Sequence, residues 1–183
     1  METKDCILTR RSIRRYEDKA IPRAAIEQIV SLASYAPSWK NAQPARYTIV
    51  TDRSVIEQIA NEAVLGYTHN AGILLNCAAL AIQSLVNKRS GYERDGSFST
   101  GQGTHWESFD AGISAQTFCL AAQDLGIGTC IMGIFDEKKV AGIIALPDAQ
   151  TVSALIPMGY PAESPKAPVR KGTEDLMRYI GEE

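Results

Sequence analysis

The run from Ile73 to Leu85 constrains this chain most, because only Asn76, Gln83 and Ser84 interrupt it and it must be buried wherever the chain places it. Its uniformity hides any helical or alternating period. Between a strand and a helix, which periodicity does not decide here, we favour a buried strand, where continuous apolar runs are at home. Asp110 to Leu125 is also apolar but helical in pattern, with Ile113, Phe118, Leu120, Ala121 and Leu125 all needing burial. That makes a central core helix, ended by Gly126 in the usual C-terminal glycine role. With 183 residues, 45% of them hydrophobic, the chain can bury one core of ordinary size, and we expect a single domain over 1–183.

The remaining segments fall around these two. Ile26, Ile29, Val30 and Ala33 recur at helical spacing, which predicts a helix over Ala24–Tyr35, just past Pro22. Arg46–Val50 is a short β-branched strand. Ser54–Ala63 is a helix that Ser54 can cap. Ile127–Phe135 reads as a strand whose glycines permit close approach by a partner or ligand, or as a helix cap followed by an edge strand. Asp136 caps a short helix to Ile144, Val152–Tyr160 is a strand, and Pro161–Val169 is an extended arm before a last helix over Thr173–Tyr179. The stretch 87–108, rich in Gly, Ser, Thr and charge, is too long for an ordinary connection and reads as a lid or flexible loop. Within it, Thr100–Thr104 looks like a phosphate cradle but lacks the lysine of a P-loop, so we discount it.

Four arginines and a hydroxyl fall within six positions at Arg10-Arg11-Ser12-Ile13-Arg14-Arg15. Arginine carries a permanent charge and a planar fork of donors that matches phosphate or carboxylate oxygens. The cluster is either a solvated basic turn or a clamp for an anionic small molecule. Pro37-Ser38-Trp39-Lys40-Asn41-Ala42-Gln43-Pro44 is a second such place. Its aromatic face and amide groups suit a binding loop, against the plainer reading of a proline-bounded connection with polar filling. The net charge of −2 gives no general attraction to nucleic acid. No apolar run approaches a membrane span, the start of the chain is polar, and we expect a cytoplasmic protein. Cys6, Cys77, Cys119 and Cys130 form no C-x-x-C pair, and with His69 and His105 alone beside them a metal site is not expected.

Four segments, taken in order, resemble the nitroreductase family of FMN-dependent oxidoreductases. They are Arg10-Arg11-Ser12-Ile13-Arg14, the Pro37–Pro44 loop, Leu125-Gly126-Ile127-Gly128-Thr129-Cys130, and Gly159-Tyr160-Pro161 running on to Arg170-Lys171. The resemblance implies an α+β fold, a central mostly antiparallel β-sheet flanked by helices, in an intertwined homodimer. Two FMN molecules would lie at the interface, each touched by both subunits, and the tail 161–183 would cross to the partner.

By the same likeness Arg10, Ser12 and Arg170, with Lys171, hold the FMN phosphate and ribityl end, and Arg14 lies near the N1–C2=O edge of the ring. Arg11 belongs to the candidate cluster with no role beyond local charge. Pro37, Ser38, Trp39 and Asn41 match the loop supplied by the other subunit, with Gln43 nearby. Met132 and Gly133 match the strand end whose backbone N–H approaches flavin N5. The chain offers no nucleophile or general base, as expected when a cofactor carries the chemistry. The implied activity is ping-pong: hydride from NAD(P)H to FMN N5, then to an electron-poor acceptor such as a nitroaromatic or quinone. Another flavin reaction on the same fold (dehalogenation or flavin breakdown) and a non-catalytic flavin carrier are the alternatives. In place of the helical excursion that shapes the substrate channel in fuller-length members, this chain has 87–108.

Overall fold

The structure, a computed structural model, describes residues 1–181. Four strands, β1 (Ala45–Val50), β2 (Ala79–Val86), β3 (Gly128–Thr129) and β4 (Gln150–Gly159), form one sheet in the order β1-β2-β4-β3. Each pair of neighbouring strands is antiparallel. Helices cover both faces, which makes the fold α+β as expected.

β2 explains the arrangement. Leu80 and Ile82 enter a core formed with α3 (Arg53–Glu62), α4 (Thr68–Asn76) and α6 (Glu137–Ile143), while Ala79 and Ala81 enter another formed with α2 (Arg23–Ala33) and α5 (His105–Asp124). Strand side chains alternate between faces. The small residues on one face let α5 settle close, and the branched ones on the other fill a deeper layer. β4 follows the same division, with Leu155 on the first side and Ala154 and Ile156 on the second. A register shift at Gln83/Ser84 puts Val152 on the first side as well. Gln83, fully buried, donates from Nε2 to Ala111 O at 3.1 Å and accepts at Oε1 from Ser153 at 2.9 Å, so the polar group there is satisfied and pins α5 to the sheet.

Several boundaries differ from the sequence reading. Ile73–Leu85 is not one strand. Its first part ends α4, the chain turns at Cys77-Ala78, and only Ala79 onward pairs in the sheet. Both halves are apolar because both face the core, so hydrophobicity alone could not mark the turn. Ile127–Phe135 pairs regularly only at Gly128–Thr129. It then leaves the ladder and returns in a single bridge, Met132 to Leu155. The α3 cap is Asp52, not Ser54: the Asp52 carboxylate accepts the Ser54 N–H at 2.9 Å. Asp136 does cap α6, accepting from Lys139 N at 3.1 Å. The last helix, α7, is only Thr173–Leu176, and a first helix, α1 (Thr3–Thr9), was not anticipated. The stretch 87–108 is partly helix, since α5 begins at His105, and Ser90 within it is fully buried. The arm from Pro161 runs to the end of the described residues, and the last two positions of the 161–183 tail lie outside them. Among the described residues no helix is long and apolar enough to cross a membrane.

Candidate functional site

The arginine segment is neither helix nor loop but a strap laid along the sheet edge. Ile13 N donates to Thr129 O at 2.9 Å, Glu17 N to Tyr160 O at 2.8 Å, and Ala162 N to Arg15 O at 3.0 Å. The Tyr16 hydroxyl, deep in the core, donates in reach of both Ile13 O at 2.6 Å and Pro157 O at 3.1 Å, and burial pushes its pKa well up. Two glycines make this approach possible. A Cβ on Gly128 would lie 2.7 Å from Ile13 Cγ1, and one on Gly159 would lie 2.8 Å from Tyr16 Cβ. The close approach anticipated for the glycines of 127–135 is therefore, at Gly128, to the chain's own arginine strap. Ile13 and Tyr16 point inward, and Ser12, Arg14 and Arg15 between and beside them remain accessible.

Outside this strap lies a cleft of about 310 Å³ lined by Arg10, Arg11, Ser12, Arg14, Lys166 and Arg170, with Pro165 and Pro168 of the arm. Five cations and a hydroxyl face it, and among the described residues no carboxylate does. Like charges gathered this way repel one another unless an anion joins them. Arg11 is the least available, because its Nη1 donates to Leu8 O and Arg10 O, both at 2.8 Å, at the end of α1. Glu163, just before the cleft, accepts the Arg14 backbone N–H at 2.6 Å and fixes the strap to the arm. The Cys130 thiol lies beneath: burial raises its pKa, and Arg14 and Ser12 partly offset the rise. Lys166 was not singled out from sequence, although a lysine between Pro165 and Pro168, four residues before Arg170, was a visible signal.

The Pro37–Pro44 loop stands apart from this cleft. Lys40, Asn41 and Gln43 all have left-handed φ, at 45°, 54° and 46°. Only part of the bonding that holds this shape is local: Ser38 Oγ accepts from Gln43 N at 2.9 Å, and Gln43 Nε2 donates to Asn41 Oδ1 at 3.2 Å. The rest comes from Asp110 and the 90–106 stretch, through Trp39 N to Asp110 at 2.9 Å, Lys40 to Glu93 at 3.0 Å, and Trp39 against Trp106 with ring centroids 4.7 Å apart. Trp39 Nε1 is buried and has no hydrogen-bond partner among the described residues. A buried donor left so costs on the order of 1–3 kcal/mol. Pro37, Ser38 and Gln43 border a small cavity of about 120 Å³ against α2 and α5.

Met132 is buried, and its N–H is committed to Leu155 O at 2.8 Å, so it has none to offer a ligand. Gly133, next along, is exposed, and a Cβ on it would meet nothing within 4 Å. Asn70 Nδ2 donates to Ile134 O at 3.3 Å and ties α4 to this segment, a contact with no signal in the residue pattern. One chain thus gathers Arg10, Arg11, Ser12, Arg14 and Arg170, with Lys166, into one cleft. Pro37, Ser38, Trp39, Asn41, Gln43, Met132, Gly133 and Lys171 are not on its lining. All four cysteines are free and buried.

The comparisons with known proteins agree with this architecture. The model of the nitroreductase family matches residues 7–160. A protein of Methanothermobacter thermautotrophicus, with the provisional name NADH dehydrogenase/NAD(P)H nitroreductase, is 32% identical over 97% of this chain and 83% of its own. The crystal structure of a nitroreductase family protein from Clostridium novyi NT superposes with a TM-score of 0.76 at 32% identity, covering 92% of this chain and 89% of that one. A protein of Staphylococcus epidermidis, provisionally called an NAD(P)H:FMN oxidoreductase, shares the fold with a TM-score of 0.83 at 21% identity, over 97% and 95% of the two chains.

Proposed function

Because this chain belongs to the nitroreductase family, we propose that it is an oxidoreductase that binds FMN in the Arg10–Arg170 cleft and uses NAD(P)H as its electron donor. The observation that carries the reading is the cleft itself: five cations and a hydroxyl with no opposing carboxylate among the described residues, on a strap hydrogen-bonded to the sheet. A phosphate monoester suits that donor set, and Arg10, Ser12, Lys166 and Arg170 would hold it through charge-assisted bonds. Arg14, fixed at its backbone by Glu163, would set a positive charge beside the pyrimidine edge of the ring, where electron density gathers on reduction. Gly133 would leave room at the ring for donor and acceptor alike. Bound FMN would supply the redox chemistry, taking hydride at N5 and passing electrons to an electron-poor acceptor such as a nitroaromatic or quinone.

The same reading has two chains sharing the cofactor. Within one chain the Pro37–Pro44 loop and the cleft are separate, and the Trp39 ring donor finds no partner among the described residues. Ile7 and Leu8 on α1, Phe109 on α5, and Leu176, Tyr179 and Ile180 in the tail are all exposed. Apolar groups spread over a helix pair and an extended tail suit an intertwined homodimer, with the loop reaching the partner's flavin. Buried unpaired thiols suit a reducing cytoplasm.

The test is a comparison of FMN with riboflavin, which lacks only the phosphate. Binding to the cleft predicts at least about hundredfold weaker affinity for riboflavin, a difference that shrinks in high salt. Equal affinities would show that the cations do not hold the cofactor.

A further inference from the structure

The 37–44 loop is bent through three left-handed non-glycine residues, and such a backbone persists only where its surroundings over-determine it. The group best placed to do this is Asp110 in α5. It is 3% exposed and belongs to no ion pair among the described residues. A buried carboxylate with no cation is costly unless donors compensate it. Here both compensating donors converge on one oxygen: Oδ2 accepts from Trp39 N at 2.9 Å and from the Ser90 hydroxyl at 2.5 Å. The first donor belongs to the loop, the second to the 87–104 stretch. Around this node Lys40 to Glu93 joins the two segments once more, and Trp39 packs against Trp106 in the first turn of α5.

We propose that Asp110 is a positioning residue that locks the Trp39–Asn41 turn onto α5 and couples it to the 87–104 stretch, so that the loop is shaped before any ligand arrives. The inference rests on the flavin reading for its consequence, since a loop already shaped binds without a further ordering cost. It does not rest on that reading for its geometry. The chain's only two tryptophans, Trp39 and Trp106, both lie at the node, so their fluorescence reports on it with no other contribution.

The experiment uses the full chain with Asp110→Ala, Asp110→Asn and Ser90→Ala. Tryptophan emission and acrylamide quenching are read without ligand, and FMN affinity by flavin fluorescence. Asp110→Ala should shift the emission to the red, raise quenching and weaken FMN about ten- to a hundredfold. Asp110→Asn keeps an acceptor oxygen for both donors and should restore emission and bring affinity to within about threefold of wild type. Ser90→Ala frees only the 87–104 side, so it should shift emission with a smaller loss of affinity. Should Asp110→Ala fail to fold, Ser90→Ala decides, and wild-type emission and quenching in that variant overturn the coupling. A lower melting temperature in Asp110→Ala with unchanged emission and unchanged FMN affinity would make Asp110 a merely structural residue and overturn the proposal. A wild-type chain that takes up no FMN overturns the flavin reading and the consequence drawn from it, while the emission comparison still decides the clamp.

Discussion

Gly128→Ala tests how the arginine strap is held. The added Cβ would meet Ile13 Cγ1 at 2.7 Å and Ile13 Cβ at 2.8 Å, where ordinary contact begins at 3.4 Å. Cβ is fixed to the backbone, so no rotamer relieves the clash and the strap itself must move. That movement stretches the Ile13 N to Thr129 O bond, now 2.9 Å, and disturbs the buried Ile13 side chain. Overpacking of this kind costs about 1–3 kcal/mol, and one weakened buried hydrogen bond adds about 1 kcal/mol. The expected loss is about 2–4 kcal/mol, or roughly 4–16 °C in melting temperature for a chain of this size. FMN affinity should fall with it, because Ser12 and Arg14 flank Ile13. The assay is urea and thermal unfolding beside an FMN titration. Gly142→Ala is the control: Gly142 lies inside α6 with nothing within 4 Å of an added Cβ, so alanine should stabilise by about 0.5–1 kcal/mol. A Gly128→Ala protein within about 0.5 kcal/mol of wild type would mean that Gly128 does not hold the strap, since that is the range of a substitution that touches nothing.

Three further outcomes follow from the same geometry. Arg10→Ala and Arg170→Ala should each weaken FMN about tenfold while leaving riboflavin affinity nearly unchanged, and an equal loss for both ligands would place the guanidinium groups away from the phosphate. Gly133→Ala should leave unfolding within about 0.5 kcal/mol of wild type yet slow flavin reduction by NAD(P)H, and a wild-type reduction rate would remove Gly133 from the flavin. Burial pushes the Cys77 thiol from its ordinary 9.0 up to about 11. Between those values the unfolded chain loses the proton and the folded one keeps it, so stability should be intact below pH 9.0 and fall as pH rises toward 11. The fall is up to about 3 kcal/mol. Cys77→Ala should lessen it, and an identical alkaline slope in that variant would count against the assignment.

The fold was legible where residue pattern and environment agree. α2, α3, α6, β1 and β4 fall within a few residues of their expected places, since each follows a turn or capping signal, while α5 starts at His105 rather than at the expected Asp110. The failure at Ile73–Leu85 has a physical cause. β2 is covered by helices on both faces and α4 packs into the same core, so neither element shows an exposed side to set its period. α1 escaped notice because only Cys6 of its residues is buried, and Ile7 and Leu8 face outward. In the site, charge was readable: the arginine cluster and Arg170 could be marked from sequence. The contacts that shape the site were not, because they depend on distant residues meeting. Asp110 looked like the start of a helix rather than an anchor for Trp39, and Glu163 and Lys166 looked like ordinary charges on a proline-rich arm. Met132 and Gly133 were expected to form a strand end that offers a backbone N–H, and the bridge to Leu155 consumes that of Met132.

Whether the chain is a working flavin oxidoreductase is decided by anaerobic titration of the FMN-loaded protein with NADH and then NADPH while the flavin absorbance is followed. At least one of the two should bleach the flavin stoichiometrically, and an electron-poor acceptor should then restore the colour. A protein that holds FMN but is bleached by neither nucleotide would contradict that activity.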